Sequence, residues 1–401
     1  MFNSLKFKVI LFGFIFTFFS SFGQSYFLGL FNSSIREALS ITHGQFGSIY
    51  ASATLCSSLL LIWVGKKIDD VNIFKFAFFV TILLSFACFF FSKVSSIFLL
   101  FIAIFLMRFS GQGMMSHTAS TTISRYFTRT RGRALSISWF GLSSAEFIMP
   151  VLMVYLLTII DWQNLWLIFS ITVLIVLPIA SFLLIKNLNL DSRETNDENI
   201  KDIEIKQWKR REVIKDYRFY IISLNMLAMP WIFTGFAVFQ SFVQTSKGWG
   251  PYVIAQSFMS YSILSVLTLF LSGFLIDKFT SRKLLIYMNI PLLLSVIVLF
   301  FFDTPITAFV FLGLVGISNG FANILGSSTW AELYGVKYLG SIKALTTALM
   351  VFATAFGTAL FGFLIDIGFT VGDIATVSGT YIFFSLILLF LVRKKLNPII
   401  V

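Results

Sequence analysis

The sequence predicts an all-α membrane protein with twelve transmembrane helices in two six-helix, pseudo-symmetric halves. Three observations predict it. Hydrophobic residues make up 57% of the 401 positions and charged residues only 12%, about half the charged share of a soluble protein. Apolar runs of about 20 residues recur along the chain. A glycine–aspartate pair also returns at one fixed offset in the second half. A soluble globule of this size cannot hide 51 phenylalanines from water, whereas a bilayer covers them.

The runs lie at 9–31, 46–64, 76–92, 97–124, 135–159, 165–185, 219–244, 253–272, 284–302, 306–331, 344–366 and 374–391. The first follows Lys6 and Lys8 as a signal peptide would. Its uncharged stretch is too long for a signal h-region and no small-residue cleavage site follows, so it reads as a membrane anchor. The expected organisation is an N-terminal half over 1–186, a cytoplasmic linker over 187–218 and a C-terminal half over 219–401. The linker, NLNLDSRETNDENIKDIEIKQWKRREVIKDYRF to its end at 219, is polar, acidic first and then basic. A short amphipathic helix over 202–216, lying along the inner leaflet, is expected from it.

With the N-terminus inside, the cytoplasmic segments hold 26 of the 30 Lys and Arg. The outer segments hold only Arg36, Lys93 and Lys247. This asymmetry orients the chain with both termini cytoplasmic. The net charge of +12 is then an orientation signal, and no nucleic-acid partner is expected. Cys56 and Cys88 fall inside spans and imply neither a disulfide nor a metal site. No Ser/His/acid set, metal-ligand cluster or phosphate-binding loop stands in the sequence. The expectation is therefore not an enzyme, with no cofactor and no metal.

The loop after the second run reads GKKIDDVNIFK (65–75) and the loop after the eighth reads GFLIDKFTSRK (273–283). Gly65/Asp69 and Gly273/Asp277 share one spacing, 208 residues apart. Together with the six-plus-six arrangement, this resembles the major facilitator superfamily over essentially the whole chain. The family's loop signature is G-x-L-x-D-[RK]-x-G-R-[RK]. The second copy keeps Gly273, Leu275, Asp277 and Lys278, with Arg282 beside the usual basic pair. The first departs from it: Asp70 stands where a base is usual, Asn72 replaces the glycine and Ile73 the arginine. Asn tolerates left-handed backbone, which makes its substitution mild. The resemblance implies a transporter working by alternating access, with Gly65, Asp69, Gly273, Asp277 and Arg282 as gating residues around tight glycine turns.

RYFTRTRGRALSISWFGLSSAEFIMP (125–150), SYFLGLFNSSIREALSITHGQFGSIYA (25–51) and WAELYGVKYLGSIKA (330–344) resemble, more loosely, the monocarboxylate and oxalate/formate carrier branch. A drug-antiporter signature is missing, since Met149 precedes Pro150. The likeness supports a broad branch and does not identify a substrate; a small organic anion, a carboxylate, moved with a proton is expected from Arg108 and Glu146. The expected setting is a cell membrane of the bacterial inner-membrane kind, with a monomeric carrier in the lipid bilayer.

Arg108 follows eleven apolar residues, IFLLFIAIFLM, so it lies about 16 Å into its span at 1.5 Å per residue. A charge at that depth costs about 2.5–3.5 kcal/mol and survives by facing a cavity or a partner. Glu146 lies at the same depth in the following, oppositely directed span, and antiparallel neighbours would bring the two within reach. Helical spacing puts Arg108, Gly111, Gln112 and Met115 on one face, and Trp139, Ser143, Glu146 and Pro150 on another. Two readings stay open. In one, Arg108 binds a substrate carboxylate bidentately while Glu146 carries a proton. In the other, the pair is a buried strut between helices. Gln112, Asn319 and Asn323 are further substrate-binding candidates, and Gln24 and Asn225 are weaker ones. Trp162, Trp166 and Trp249 read as an aromatic belt. Trp231 and Trp330 read as packing or cavity lining. Two alternatives to the anion carrier stay open, an exporter of hydrophobic or cationic compounds and a receptor on the same fold.

Overall fold

A computed structural model describes residues 5–127, 130–186, 206–335 and 337–398, without the side chains of Asp69, Arg131, Asp277 and Ser327. Twelve helices among the described residues are long and apolar enough to cross a membrane. In chain order, spans 1–6 are Leu5–Gly29, His43–Ile68, Ile73–Ser92, Ile97–Tyr126, Gly132–Leu156 and Trp162–Ile185. Spans 7–12 are Tyr217–Val238, Val253–Ile276, Ser281–Phe301, Pro305–Tyr334, Leu339–Asp366 and Val371–Lys395. The chain divides into two compact units, Met1–Glu198 and Asn199–Val401.

Each unit uses the same packing scheme, which is the internal repeat expressed in space. In unit 1, span 1 packs on span 5, span 2 on span 4 and span 3 on span 6. In unit 2, span 7 packs on span 11, span 8 on span 10 and span 9 on span 12. Lipid tails are as apolar as the side chains, so these contacts depend on close fit and hydrogen bonds. Small residues supply the fit. A Cβ on Gly141 of span 5 would collide with the Phe14 carbonyl of span 1. One on Gly316 would collide with the Tyr261 carbonyl, and one on Gly357 with that of Trp231. Hydroxyls supply the bonds: Ser85 and Ser170 each donate to the other's carbonyl at 2.9 Å, joining spans 3 and 6.

Three expectations change. The linker's described part holds a single helical turn, Arg210–Val213, where a helix over 202–216 was expected; residues 201–205 lie outside the description. Trp208 and Val213 there are drawn into unit 2's core, so the segment's apolar residues face the protein. Trp162, Trp166 and Trp249 also do not form the expected aromatic belt: all three are buried. Trp166 is the hub of a ring cluster, 4.5 Å from Phe91 and 5.1 Å from Phe31, and Trp249 donates to the Asp303 carbonyl at 2.6 Å. Finally, the glycine turns are not turns. Gly273 lies inside a helix that runs Val253–Phe279, and Thr280, at φ 67, makes the turn. Gly65 closes its helix in ordinary right-handed geometry. Asn72 does not use left-handed backbone either. It caps span 3, its Oδ1 accepting from the Phe74 and Lys75 amides.

Candidate functional site

Span 1 is a broken helix. Its apolar run is interrupted by Ser20, Ser21, Gly23, Gln24 and Ser25, residues that compete with or loosen the helical ladder. The chain makes a 3-10 turn at Ser21–Gly23, passes through extended backbone at Gln24 (φ −81°, ψ 151°), and restarts as a helix at Ser25. Facing the break, span 4 is wound as a π-helix over Arg108–Met115, a distortion common at functional sites. The two irregularities fit each other. A Cβ on Gly23 would collide with the Met107 carbonyl, the Gln112 amide and the Gly111 Cα. Only glycine lets the backbones approach this closely.

This approach brings Arg108, only 4% exposed, onto the break. Its Nη1 donates to the Gly23 carbonyl at 3.0 Å and to Ser25 Oγ at 3.3 Å. The guanidinium lies 5.3 Å from the Tyr50 ring centroid, and the Tyr50 hydroxyl also donates to Ser25 Oγ, at 3.0 Å. Arg108 Nε has no hydrogen-bond partner. All of these partners are neutral. The expected ion pair with Glu146 does not form: Glu146 is 8% exposed in span 5, and among the described residues it carries no ion pair. The guanidinium is taken instead by the Gly23 carbonyl, Ser25 and Tyr50, which the break in span 1 brings against span 4. Gln112 and Gln24 are half-buried beside this junction, while Gly111 and Met115 are buried in packing.

The second set of candidates lies in unit 2, around a cavity of about 290 Å³. Asn319, Asn323, Thr347 and Lys343 supply its polar lining, with Met226, Met229, Met288, Met350, Phe233 and Trp330 among its apolar walls. Asn319 Nδ2 donates to Ser265 Oγ at 2.9 Å, while Asn323 is exposed. Asn225 lies apart, fully buried, its carbonyl accepting from Asn289 at 2.6 Å. Trp330 lines the cavity and Trp231 packs against Phe361 and Tyr381. Sequence reasoning missed Lys343. Starting span 11 at 344 left it in a loop, whereas the helix begins at Leu339.

The expected gating residues divide. Gly65 offers its carbonyl to His117 Nε2 at 2.9 Å, and Arg125 donates to the Ile68 carbonyl at 3.0 Å, so two span 4 side chains hold the end of span 2. Arg282 pairs with Glu332 at 3.3 Å, and Glu332 also accepts from the Ser281 amide at the start of span 9. The side chains of Asp69 and Asp277 lie outside the described residues.

Solved structures share this architecture. One is a bacterial homolog to the human lysosomal transporter Spinster, inward-facing and unoccupied, with a TM-score of 0.75 and 14% identity over 98% of each chain. Another is the nucleoside transporter NupG, with a TM-score of 0.70 and 14% identity over 98% of this chain and 99% of that one. At such identities the likeness is one of fold. No curated protein matches the chain. The family model described as Major Facilitator Superfamily matches residues 13–358. With twelve candidate spans in two similarly packed units, the chain is a multi-pass membrane protein that belongs to the Major Facilitator Superfamily.

Proposed function

We propose that the protein is a secondary active transporter that moves a small organic anion, a carboxylate, together with a proton by alternating access. The observation that supports this most is Arg108, a permanent cation buried within a span and held only by neutral groups. An uncompensated buried charge is costly, and a carboxylate supplied by substrate removes that cost. The unpartnered Nε–H lies on the guanidinium edge it shares with Nη2, the edge that takes a carboxylate in two-pronged geometry. With Nη1 on the Gly23 carbonyl, the same guanidinium would link substrate to the break in span 1. Such discontinuous helices form substrate sites in many transporters.

In this reading Glu146 carries the coupled proton, because it is the buried carboxyl beside the same break. Gln112, Asn319 and Asn323 contribute neutral hydrogen bonds, and Lys343 adds a second cation in the unit 2 cavity. Gly65, Asp69, Gly273, Asp277 and Arg282 act in gating. We place both termini on the cytoplasmic side of a bacterial-type inner membrane, with halves at 1–186 and 219–401 joined by 187–218, and a single chain as the working unit. An exporter of cations is less well supported, since Arg108 has no carboxylate to neutralise it and the cavity's lining holds a lysine and no acid. The test is carboxylate uptake into proteoliposomes under an imposed proton gradient. Glu146→Gln should abolish gradient-driven accumulation and spare carboxylate exchange. Gradient-driven accumulation that survives this change would overturn the proton role.

A further inference from the structure

One end of unit 2 carries positive charge that the proposed transport cycle does not use. We propose that this end, built from the linker's exit and the C-terminal tail, binds the headgroups of anionic phospholipids.

The site is folded. The tail is stapled down at two points. Arg218, at the start of span 7, donates through Nη1 to the Asn397 carbonyl at 2.7 Å and the Lys395 carbonyl at 3.4 Å. Arg282, at the start of span 9, donates to the Leu396 carbonyl at 2.7 Å and to Asn397 Oδ1 at 2.9 Å. Leu396 is buried as a result. The turn Arg393–Lys395 is thereby fixed beside the linker, and Lys395 and Lys215 share one surface depression with Trp208, Tyr217 and Arg218.

Among the described residues, the cations here outnumber the carboxylates near them. Glu212 pairs with Lys206 at 2.9 Å and accepts from the Lys209 amide at 2.8 Å. Asp216 is held by Arg218 at 2.7 Å and by the Tyr334 hydroxyl at 3.2 Å. Both nearby carboxylates are therefore committed. Among the described residues, Lys209, Arg210, Arg211 and Lys215 are exposed without an ion pair, as are Arg393, Lys394 and Lys395.

The position selects a lipid. These cations stand at the ends of spans 7 and 12, where Tyr217, Tyr220, Phe390 and Leu391 are each at least half exposed. Aromatic and apolar side chains next to a basic cluster match the boundary between acyl chains and headgroups. Clustered lysines and arginines at that level attract anionic lipid. Since the tail also bridges the starts of spans 7 and 9, a headgroup bound to it would hold those helix ends together and stabilise unit 2.

The test compares the full-length protein in nanodiscs of phosphatidylcholine alone and with phosphatidylglycerol, read by thermal unfolding. Phosphatidylglycerol should raise the melting temperature, and millimolar inorganic phosphate should not reproduce the rise. In the triple variant Lys215→Gln/Lys394→Gln/Lys395→Gln, apparent affinity for phosphatidylglycerol should fall on the order of a hundredfold, at roughly fivefold per cation. Its stability in phosphatidylcholine should be unchanged. If the variant is also destabilised there, the wild type at 0.5 M salt decides: screening should remove the phosphatidylglycerol increment. Equal melting temperatures in the two lipids, or an increment that survives both the substitutions and the salt, would overturn the proposal. A rise reproduced by free phosphate would assign the site to a soluble anion instead and overturn it equally.

Discussion

Gly23→Ala tests the junction that positions Arg108. The new methyl would point at the Met107 carbonyl, the Gln112 amide and the Gly111 Cα, all inside contact distance. These are backbone atoms of a buried helix and cannot swing aside as a side chain would. Relief requires spans 1 and 4 to separate. Overpacking of this kind costs about 1–3 kcal/mol. At about 2–4 °C per kcal/mol for a unit of this size, unit 1 should melt lower by roughly 2–12 °C. A separation of about 1 Å would also take the 3.0 Å bond from Arg108 to the Gly23 carbonyl out of hydrogen-bond range. Gly132→Ala is the control, because a Cβ there meets nothing within 4 Å and helix propensity favours alanine. The assay is thermal unfolding in detergent, followed by carboxylate binding. A Gly23→Ala protein as stable as the wild type would refute the close approach and the site geometry built on it.

Other expectations follow from the same structure. Trp166→Ala removes the hub of the unit 1 ring cluster and should destabilise by about 3–5 kcal/mol, read as a lower denaturation midpoint. Arg282→Gln loses Glu332 and both contacts to the tail. A cost of about 1.5–3 kcal/mol is expected for each charge-assisted bond lost, together with faster proteolysis at the tail. Lys343→Gln should weaken carboxylate uptake by about tenfold or less at low salt, with the difference fading as salt rises. An effect independent of salt would instead place Lys343 in direct contact with substrate.

Much of this architecture was legible in the sequence because the bilayer leaves few choices. Backbone groups in lipid must bond internally, so long apolar runs are helices, and twelve were found with boundaries off by a few residues. That Arg108 lies buried within a span was legible for the same reason. Its partners were not. The SSFGQS run at 20–25 and the SGQG run at 110–113 carry small, polar signals of an irregular backbone. Neither indicates a 3-10 break or a π segment by itself, and each form follows from the fit to the other. The missing Arg108–Glu146 pair shows the consequence: the break gives the guanidinium nearer partners in Gly23 and Ser25, which counting residues into a span does not reveal. Lys343 was missed through a boundary drawn a few residues late, an error that matters when one residue carries a charge.

The central claim is that Arg108 is an anion site and not a strut. Thermal stability of the purified protein against carboxylates and lipophilic cations, in wild type and Arg108→Gln, tests it directly. Carboxylates at a hundred times Kd should add about 2.7 kcal/mol to the wild type and nothing to the variant. The variant's own stability should change little, because removing Arg108 orphans no carboxylate. Stabilisation by lipophilic cations that Arg108→Gln leaves intact, with no response to carboxylates, would contradict the account.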